Sequence, residues 1–228
     1  MKKIHRFITK YNREDDYLYV KDKDVLHQWK NVLRLNIGEE IIITSEHKKD
    51  FLVKIDELSR ERAILKIIKE KINKSEPEKQ VHLYLAILKK ENFELALEKA
   101  TEIGVKSITP IITERTIKTG LNIDRLKKIA KEASELSGRS TTPEINEIIK
   151  FEKAIENSKG EKIIFDIDGK KLEDENKKEV SIFIGPEGGW ADNEINLAKE
   201  KGMRIAPISP LTLRAETAAI IASYIVLN

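Results

Sequence analysis

Two segments of the chain combine residue types and spacings that suit chemistry. Ile182-Phe183-Ile184-Gly185-Pro186-Glu187-Gly188-Gly189-Trp190 is an apolar, strand-like run that opens into a loop with three glycines in five residues. Glycine permits positive φ and lets main-chain groups come close to a ligand. No Gly-Lys-Ser/Thr follows, and the spacing is not that of a dinucleotide fingerprint, so neither a triphosphate nor a pyrophosphate is the expected ligand. An ordinary tight turn is the competing explanation. The second segment is Ile208-Ser209-Pro210-Leu211-Thr212-Leu213-Arg214-Ala215-Glu216-Thr217-Ala218-Ala219, a strand end, a loop and a helix start. Arg214 and Glu216 are two residues apart and do not share a helix face. Glu216 at a helix N-terminus can simply complement the dipole. Arg214, in the loop before it, has no such structural duty and is the stronger candidate for a functional group.

These segments need a scaffold, and the hydrophobic pattern supplies one. From Val81 onward strands alternate with helices. Val81–Leu88 is a nearly continuous apolar strand, as expected where both faces of a sheet are covered. Phe93, Ala96, Leu97, Ala100 and Ile103 follow at helical spacing and stop at Gly104. Ser107–Thr113 reads as a strand, and a helix runs from about Ile123 to Gly138. Lys162–Asp166, Val180–Ile184 and Arg204–Ile208 read as further buried strands. Helices are predicted from about Asp192 to Lys201 and from about Glu216 to Leu227. This alternation predicts an α/β domain with a mainly parallel sheet, whose ligand site lies beyond the carboxyl ends of the strands. Before a polar boundary at residues 71–79 the pattern changes to short strands: Tyr17–Val20, Glu40–Thr44, Phe51–Ile55 and Ala63–Ile68, with one short helix over Lys23–Arg34. That is the signature of a small β-barrel.

Composition narrows the chemistry. The 228 residues suit two domains better than one. With no cysteine, disulfides, thiolate metal sites and cysteine nucleophiles are excluded. No apolar run reaches the length of a membrane span, and Met1–Arg6 leads into no apolar stretch, so a signal peptide is not expected. The expectation is a soluble, cytoplasmic protein with no membrane partner and no metal. The net charge of +3 is unevenly spread: residues 1–75 hold 18 Lys and Arg against 13 Asp and Glu. A basic first third suits a polyanion, although a lysine-rich proteome explains the same excess.

Taken together, Gly185-Pro186-Glu187-Gly188-Gly189 and Leu213-Arg214-Ala215-Glu216-Thr217-Ala218 resemble the paired signature of the RsmE family, the 16S ribosomal RNA uracil-N3 methyltransferases of the SPOUT class. The resemblance runs along the chain. It includes His5-Arg6-Phe7, then His27 with Val32-Leu33-Arg34 and Gly38-Glu39. It continues with Lys99-Ala100-Thr101-Glu102-Ile103-Gly104-Val105, Pro110 and Glu114-Arg115-Thr116. Ile208-Ser209-Pro210-Leu211 departs from the family's Leu-Gly-x-Arg. Glu135-Leu136-Ser137-Gly138-Arg139 departs from its Glu-Gln-Ser-x-Arg. Trp190-Ala191 replaces Phe-Ser after the glycine loop, which leaves Asp192 as the expected helix N-cap.

The resemblance implies a PUA-like β-barrel RNA-binding domain over residues 1–72. A SPOUT α/β methyltransferase domain with a deep C-terminal trefoil knot is implied over residues 73–228. It implies S-adenosyl-L-methionine as cofactor, held by Ile184, Gly185, Glu187, Gly188, Gly189, Ile208, Ser209 and Leu213. Arg214 is the implied catalytic cation, and Glu216 or Glu187 is a candidate proton acceptor, though either could instead organise the knot. Arg6, His27, Arg34, Arg115 and Arg139 are the expected RNA contacts. The implied partners are 16S rRNA and a second copy of the chain in a homodimer. A SPOUT enzyme acting on another RNA position and a catalytically silent RNA-binding protein are the alternatives. For Trp29 and Trp190, packing fits better than stacking on a base.

Overall fold

Ten-residue strands β5 (Lys49–Leu58) and β6 (Ala63–Ile72) form the backbone of the first sheet. The computed structural model describes residues 4–45, 48–117, 120–170 and 177–228. Phe51, Val53 and Ile55 alternate inward along β5 while Lys54 and Asp56 face solvent, the period-two pattern of a half-buried strand. Around this hairpin lie β1 (Arg6–Ile8), β2 (Asn12–Glu14), β3 (Tyr17–Val20) and β4 (Glu40–Ser45), in the order β1-β4-β5-β6-β3-β2. Only β1 and β4 pair in parallel; the other neighbours are antiparallel. Strands β1 and β2 were not expected, because three residues are too few to establish a period.

The expected helix over Lys23–Arg34 is two pieces. Helix α1 (Lys23–His27) is started by Asp22, whose Oδ1 accepts from the backbone N of Asp24 at 3.0 Å and of Val25 at 3.2 Å. It widens into a π-turn over Gln28–Val32. Trp29, fully buried, packs against Phe7 with ring centroids 5.0 Å apart, so it belongs to the core of this unit.

The second unit is an α/β structure with a seven-stranded sheet. Its strands are β7 (Gln80–Ala86), β8 (Ser107–Ile112), β9 (Glu144–Ile145), β10 (Ile149–Lys150), β11 (Glu161–Phe165), β12 (Glu179–Ile184) and β13 (Arg204–Ala206). The order is β10-β8-β7-β12-β11-β13, with β9 also on β8, and every pairing is parallel. The strands divide their side chains between two cores. Val81, Leu83, Leu85, Ile182 and Ile184 point to the face covered by α2 (Lys90–Ile103), α3 (Ile123–Ser137) and α6 (Ala215–Leu227). Tyr84, Ala86, Ile164 and Phe183 point to the face covered by α4 (Phe151–Asn157) and α5 (Asp192–Glu200). Burial on both faces is why these strands read as continuous apolar runs.

The chain divides into two compact units, one running up to Glu76 and taking in Ser134–Thr141, the other holding Pro77–Ala133 and Thr142–Asn228. The return of residues 134–141 to the first unit has a visible cause. Glu76 accepts from Arg139 Nη2 at 3.0 Å, from Ser140 N at 3.0 Å and from Thr141 N at 3.1 Å. Ile8 N also donates to Glu135 Oε1 at 2.9 Å. No helix among the described residues is long and apolar enough to cross a membrane.

Candidate active site

Parallel strands deliver their carboxyl ends to one rim of a sheet, and three adjacent ends meet here. The residues after β11, β12 and β13 enclose a cavity of about 750 Å³. From β11 come Phe165, Asp166 and Ile167. From β12 come Ile184, Gly185, Glu187, Gly188, Gly189 and Trp190. From the segment after β13 come Ile208, Ser209, Leu213, Arg214 and Glu216, with Lys89 and Asn92 closing the wall at the start of α2. All eight residues expected to hold a cofactor, and both expected catalytic residues, therefore line one cavity although they span two separate loops.

The glycine loop owes its shape to packing and to two braces. Gly189 adopts φ +70°, and its N–H donates to Pro186 O at 2.9 Å, closing the turn. At Gly185 a side chain would meet the Trp190 ring, with a Cβ only 3.1 Å from Cε2 and Nε1. Trp190 is buried, lies 5.0 Å from the Phe151 ring centroid and donates its indole N–H to Phe165 O at 3.0 Å. The indole thus ties the β12 loop to the end of β11. On one side of the loop Lys89 N donates to Glu187 Oε1 at 3.2 Å; on the other Arg115 Nη1 donates to Gly188 O at 2.8 Å.

Helix α5 begins at Ala191, not with Asp192 as its cap: Ala191 is the N-cap residue and Asp192 the first helical one. The missing side-chain cap is replaced from within the helix. Glu194 Oε2 accepts from Ala191 N at 2.9 Å, and its Oε1 accepts from Glu114 N at 2.9 Å. One buried carboxylate thus fixes the start of α5 and the loop after β8.

Arg214 caps α6 in an extended conformation, φ −64° and ψ 151°, with its side chain exposed at the cavity. Glu216 is only 7% exposed, and its Oε2 is buried with no hydrogen-bond partner among the described residues. Burying a carboxylate oxygen without a partner costs free energy unless a ligand completes it. The cavity therefore offers main-chain groups, the exposed Arg214 guanidinium and the incompletely bonded Glu216 carboxylate, with Lys89, Asp166 and Glu187 also at its wall, a set suited to a zwitterionic or cationic organic ligand beside a group that develops negative charge.

The other expected contacts are spread differently. His27 and Arg34 are exposed on the first unit, Arg34 at φ +52°. Arg115 is exposed but spends a donor on the glycine loop. Arg6 and Arg139, expected to meet RNA, are engaged inside the first unit. Arg6 Nη2 donates to Asp50 Oδ2 at 2.9 Å, and Arg139 is 3% exposed against Glu76. Burial opposes ionisation of both carboxyls, but hydrogen bonds and charge from the arginines outweigh it. Asp50 is also bonded by Asn73 and Thr44, and Glu76 by the N–H groups of Thr141 and Ser140. Both acids are thereby held below the usual carboxylate range. Phe165–Ile167, Lys89 and Asn92 had no sequence flag, since no glycine or motif marks them. The strand-end rule applied to Lys162–Asp166 would have found the first three.

The chain is similar to proteins of known class. The family described as an RNA methyltransferase domain matches residues 74–227. The chain is 30% identical to ribosomal RNA small subunit methyltransferase E of Rickettsia conorii, over 93% of each protein. It is also 30% identical to the protein of that name from Aquifex aeolicus, over 99% of this chain and 100% of the relative. Among solved structures, ribosomal RNA small subunit methyltransferase E from Neisseria gonorrhoeae bound to S-adenosyl methionine matches with a TM-score of 0.87. That match has 28% identity and covers 97% of this chain and 95% of the other.

Proposed function

The chain belongs to the ribosomal RNA small subunit methyltransferase E family, and on that premise we propose that it methylates N3 of a specific uridine in 16S ribosomal RNA with S-adenosyl-L-methionine as methyl donor. The observation that carries this is the single cavity where the Gly185–Gly189 loop and the Ile208–Glu216 segment meet. The cavity fits the cofactor: its volume suits a ligand of that size, three glycines bring main chain to its wall, and Glu216 Oε2 lacks a partner among the described residues. Ile184, Gly185, Glu187, Gly188, Gly189, Ile208, Ser209 and Leu213 are the residues to hold it, chiefly through the backbone. When bound, the cofactor supplies an electrophilic methyl group.

The protein's own task is to present uracil N3 as a nucleophile. N3 carries an imide proton whose loss leaves negative charge shared with O2 and O4. Arg214 stabilises that charge in a site sheltered from bulk water, and Glu216 accepts the proton. Holding the base against the methyl group supplies much of the remaining acceleration.

The wider architecture belongs to the same proposal. The first unit, residues 1–72 in the main, serves as a PUA-like RNA-binding barrel, and residues 73–228 as a SPOUT methyltransferase domain whose C-terminal segment forms a trefoil knot. Support for the knot comes from the path of the chain. Strand β12 is inserted between β7 and β11, β13 lies outside β11, and α6 then packs back against α2, β7 and β12. The assembly is a homodimer through that domain, acting in the cytoplasm. Methyl transfer to 16S rRNA by Arg214→Ala is the test. A loss of about 10²–10³ in kcat is expected. Activity within about threefold of the parent, in a folded protein, refutes the assignment.

A further inference from the structure

The first unit holds a second concavity, of about 420 Å³, lined by Lys23, Leu26, His27, Lys30, Asn31 and Arg60. Its positive side chains come from two distant places in the sequence. Lys23 and His27 lie four apart on α1, on one helix face. Lys30 and Asn31 follow on the π-turn, a distortion that recurs at functional sites. Arg60 arrives from the β5–β6 turn, which is fixed by Ser59 N donating to Arg62 O at 2.9 Å.

These cations are gathered around one concavity without a counter-charge of their own. Elsewhere in this unit Arg6 is paired with Asp50, Arg13 and Lys49 with Glu70, and Arg62 with Glu57. Lys23, His27, Lys30 and Arg60 are exposed and enter no ion pair found among the described residues. No acid among the described residues lines the concavity. The nearby Asp22 directs its carboxylate to the start of α1. The floor is Leu26, only 1% exposed, so the charges at the rim stand around an apolar base. Three permanent positive charges gathered this way repel one another until an anion joins them. Two flexible lysines with one guanidinium fork suit successive phosphates rather than a base edge.

The geometry points to this groove as a binding site for the phosphodiester backbone of the RNA substrate, an inference that rests on the reading of the chain as an RNA methyltransferase. It moves the RNA contact of the first unit away from Arg6, which Asp50 holds, to a surface that includes His27.

The experiment compares the full-length parent with Lys23→Gln/Lys30→Gln/Arg60→Gln, all at exposed positions. Binding of a labelled single-stranded RNA of about 20 nucleotides is followed from about 50 to about 300 mM KCl. Each phosphate contact on a single strand contributes about 0.7 to the salt slope, so the variant should lose about two from the slope and more than tenfold in affinity at low salt. Lys23→Arg/Lys30→Arg should keep both. Affinity for S-adenosylhomocysteine, read by calorimetry, should stay within about twofold of the parent. An unchanged slope and RNA affinity in the Gln variant overturns the groove. A parent that shows the groove-dependent slope but transfers no methyl group to rRNA overturns the enzyme reading instead.

Discussion

Gly185→Ala tests how the cavity wall is built. Gly185 is not among the residues with positive φ, so alanine brings no backbone strain there. The effect is purely steric: the new Cβ would lie 3.1 Å from Trp190 Cε2 and Nε1 and 3.3 Å from Cδ2. Carbon contacts prefer about 3.5–4.0 Å, so the indole must retreat by about half an ångström. It cannot do so freely, because Phe151 packs on the ring 5.0 Å away and Phe165 O accepts its N–H at 3.0 Å. Overpacking costs about 1–3 kcal/mol, and losing the indole hydrogen bond about 1 kcal/mol more. Chemical denaturation should therefore show a loss of about 2–4 kcal/mol, with S-adenosylhomocysteine affinity reduced at least about tenfold, because Gly185, Trp190 and Phe165 all line the cavity. Trp190→Ala in the same chain removes the ring that clashes. The two substitutions should then be non-additive by about 1 kcal/mol or more. Parental stability in Gly185→Ala, or strict additivity with Trp190→Ala, refutes the reasoning.

Acid should weaken the first unit. Asp50 and Glu76 are held below their ordinary range when folded, so their stabilising contribution is fully present at neutral pH, above their unfolded values. It is lost as pH falls below about 4 and through the folded values, which pH-dependent denaturation will read. Arg139→Met leaves Glu76 buried without its cation and should cost about 3–5 kcal/mol at neutral pH, with Arg139→Met/Glu76→Gln recovering part of it in the same measurement. Glu194→Ala removes the acceptor of two backbone N–H groups and should cost about 3 kcal/mol by denaturation, with Glu194→Gln less damaging because one oxygen remains.

The site was legible in the sequence to the extent that its residues are marked by type. The Gly185–Gly189 loop and Arg214 stand out because neither a tight turn nor a helix start needs all of them, and both follow buried strands. Phe165, Asp166 and Ile167 close the same cavity, yet an apolar strand end followed by an aspartate is too common a pattern to stand out. Trp190 was rightly placed in packing, but its bond to Phe165 O joins residues 25 apart and has no sequence trace. The strands and helices of the second unit were readable because burial on both faces gives continuous apolar runs, and helix faces recur at three to four residues. The π-turn after His27 was not, since a widened turn preserves the apolar spacing of a helix. Arg6 and Arg139 show the limit of charge arithmetic: their partners Asp50 and Glu76 lie 44 and 63 residues away, and only the fold brings them together. Much of the N-terminal positive charge nevertheless remains unpaired, and the groove around Lys30 and Arg60 gives part of it a location.

The most direct test of the whole account is mass mapping of 16S rRNA after incubation with the purified protein and S-adenosyl-L-methionine. One uridine should gain a single methyl group at N3, and Arg214→Ala should leave that position unmodified. A methyl group on a different atom or base, or no incorporation by a folded protein that binds S-adenosylhomocysteine, would contradict it.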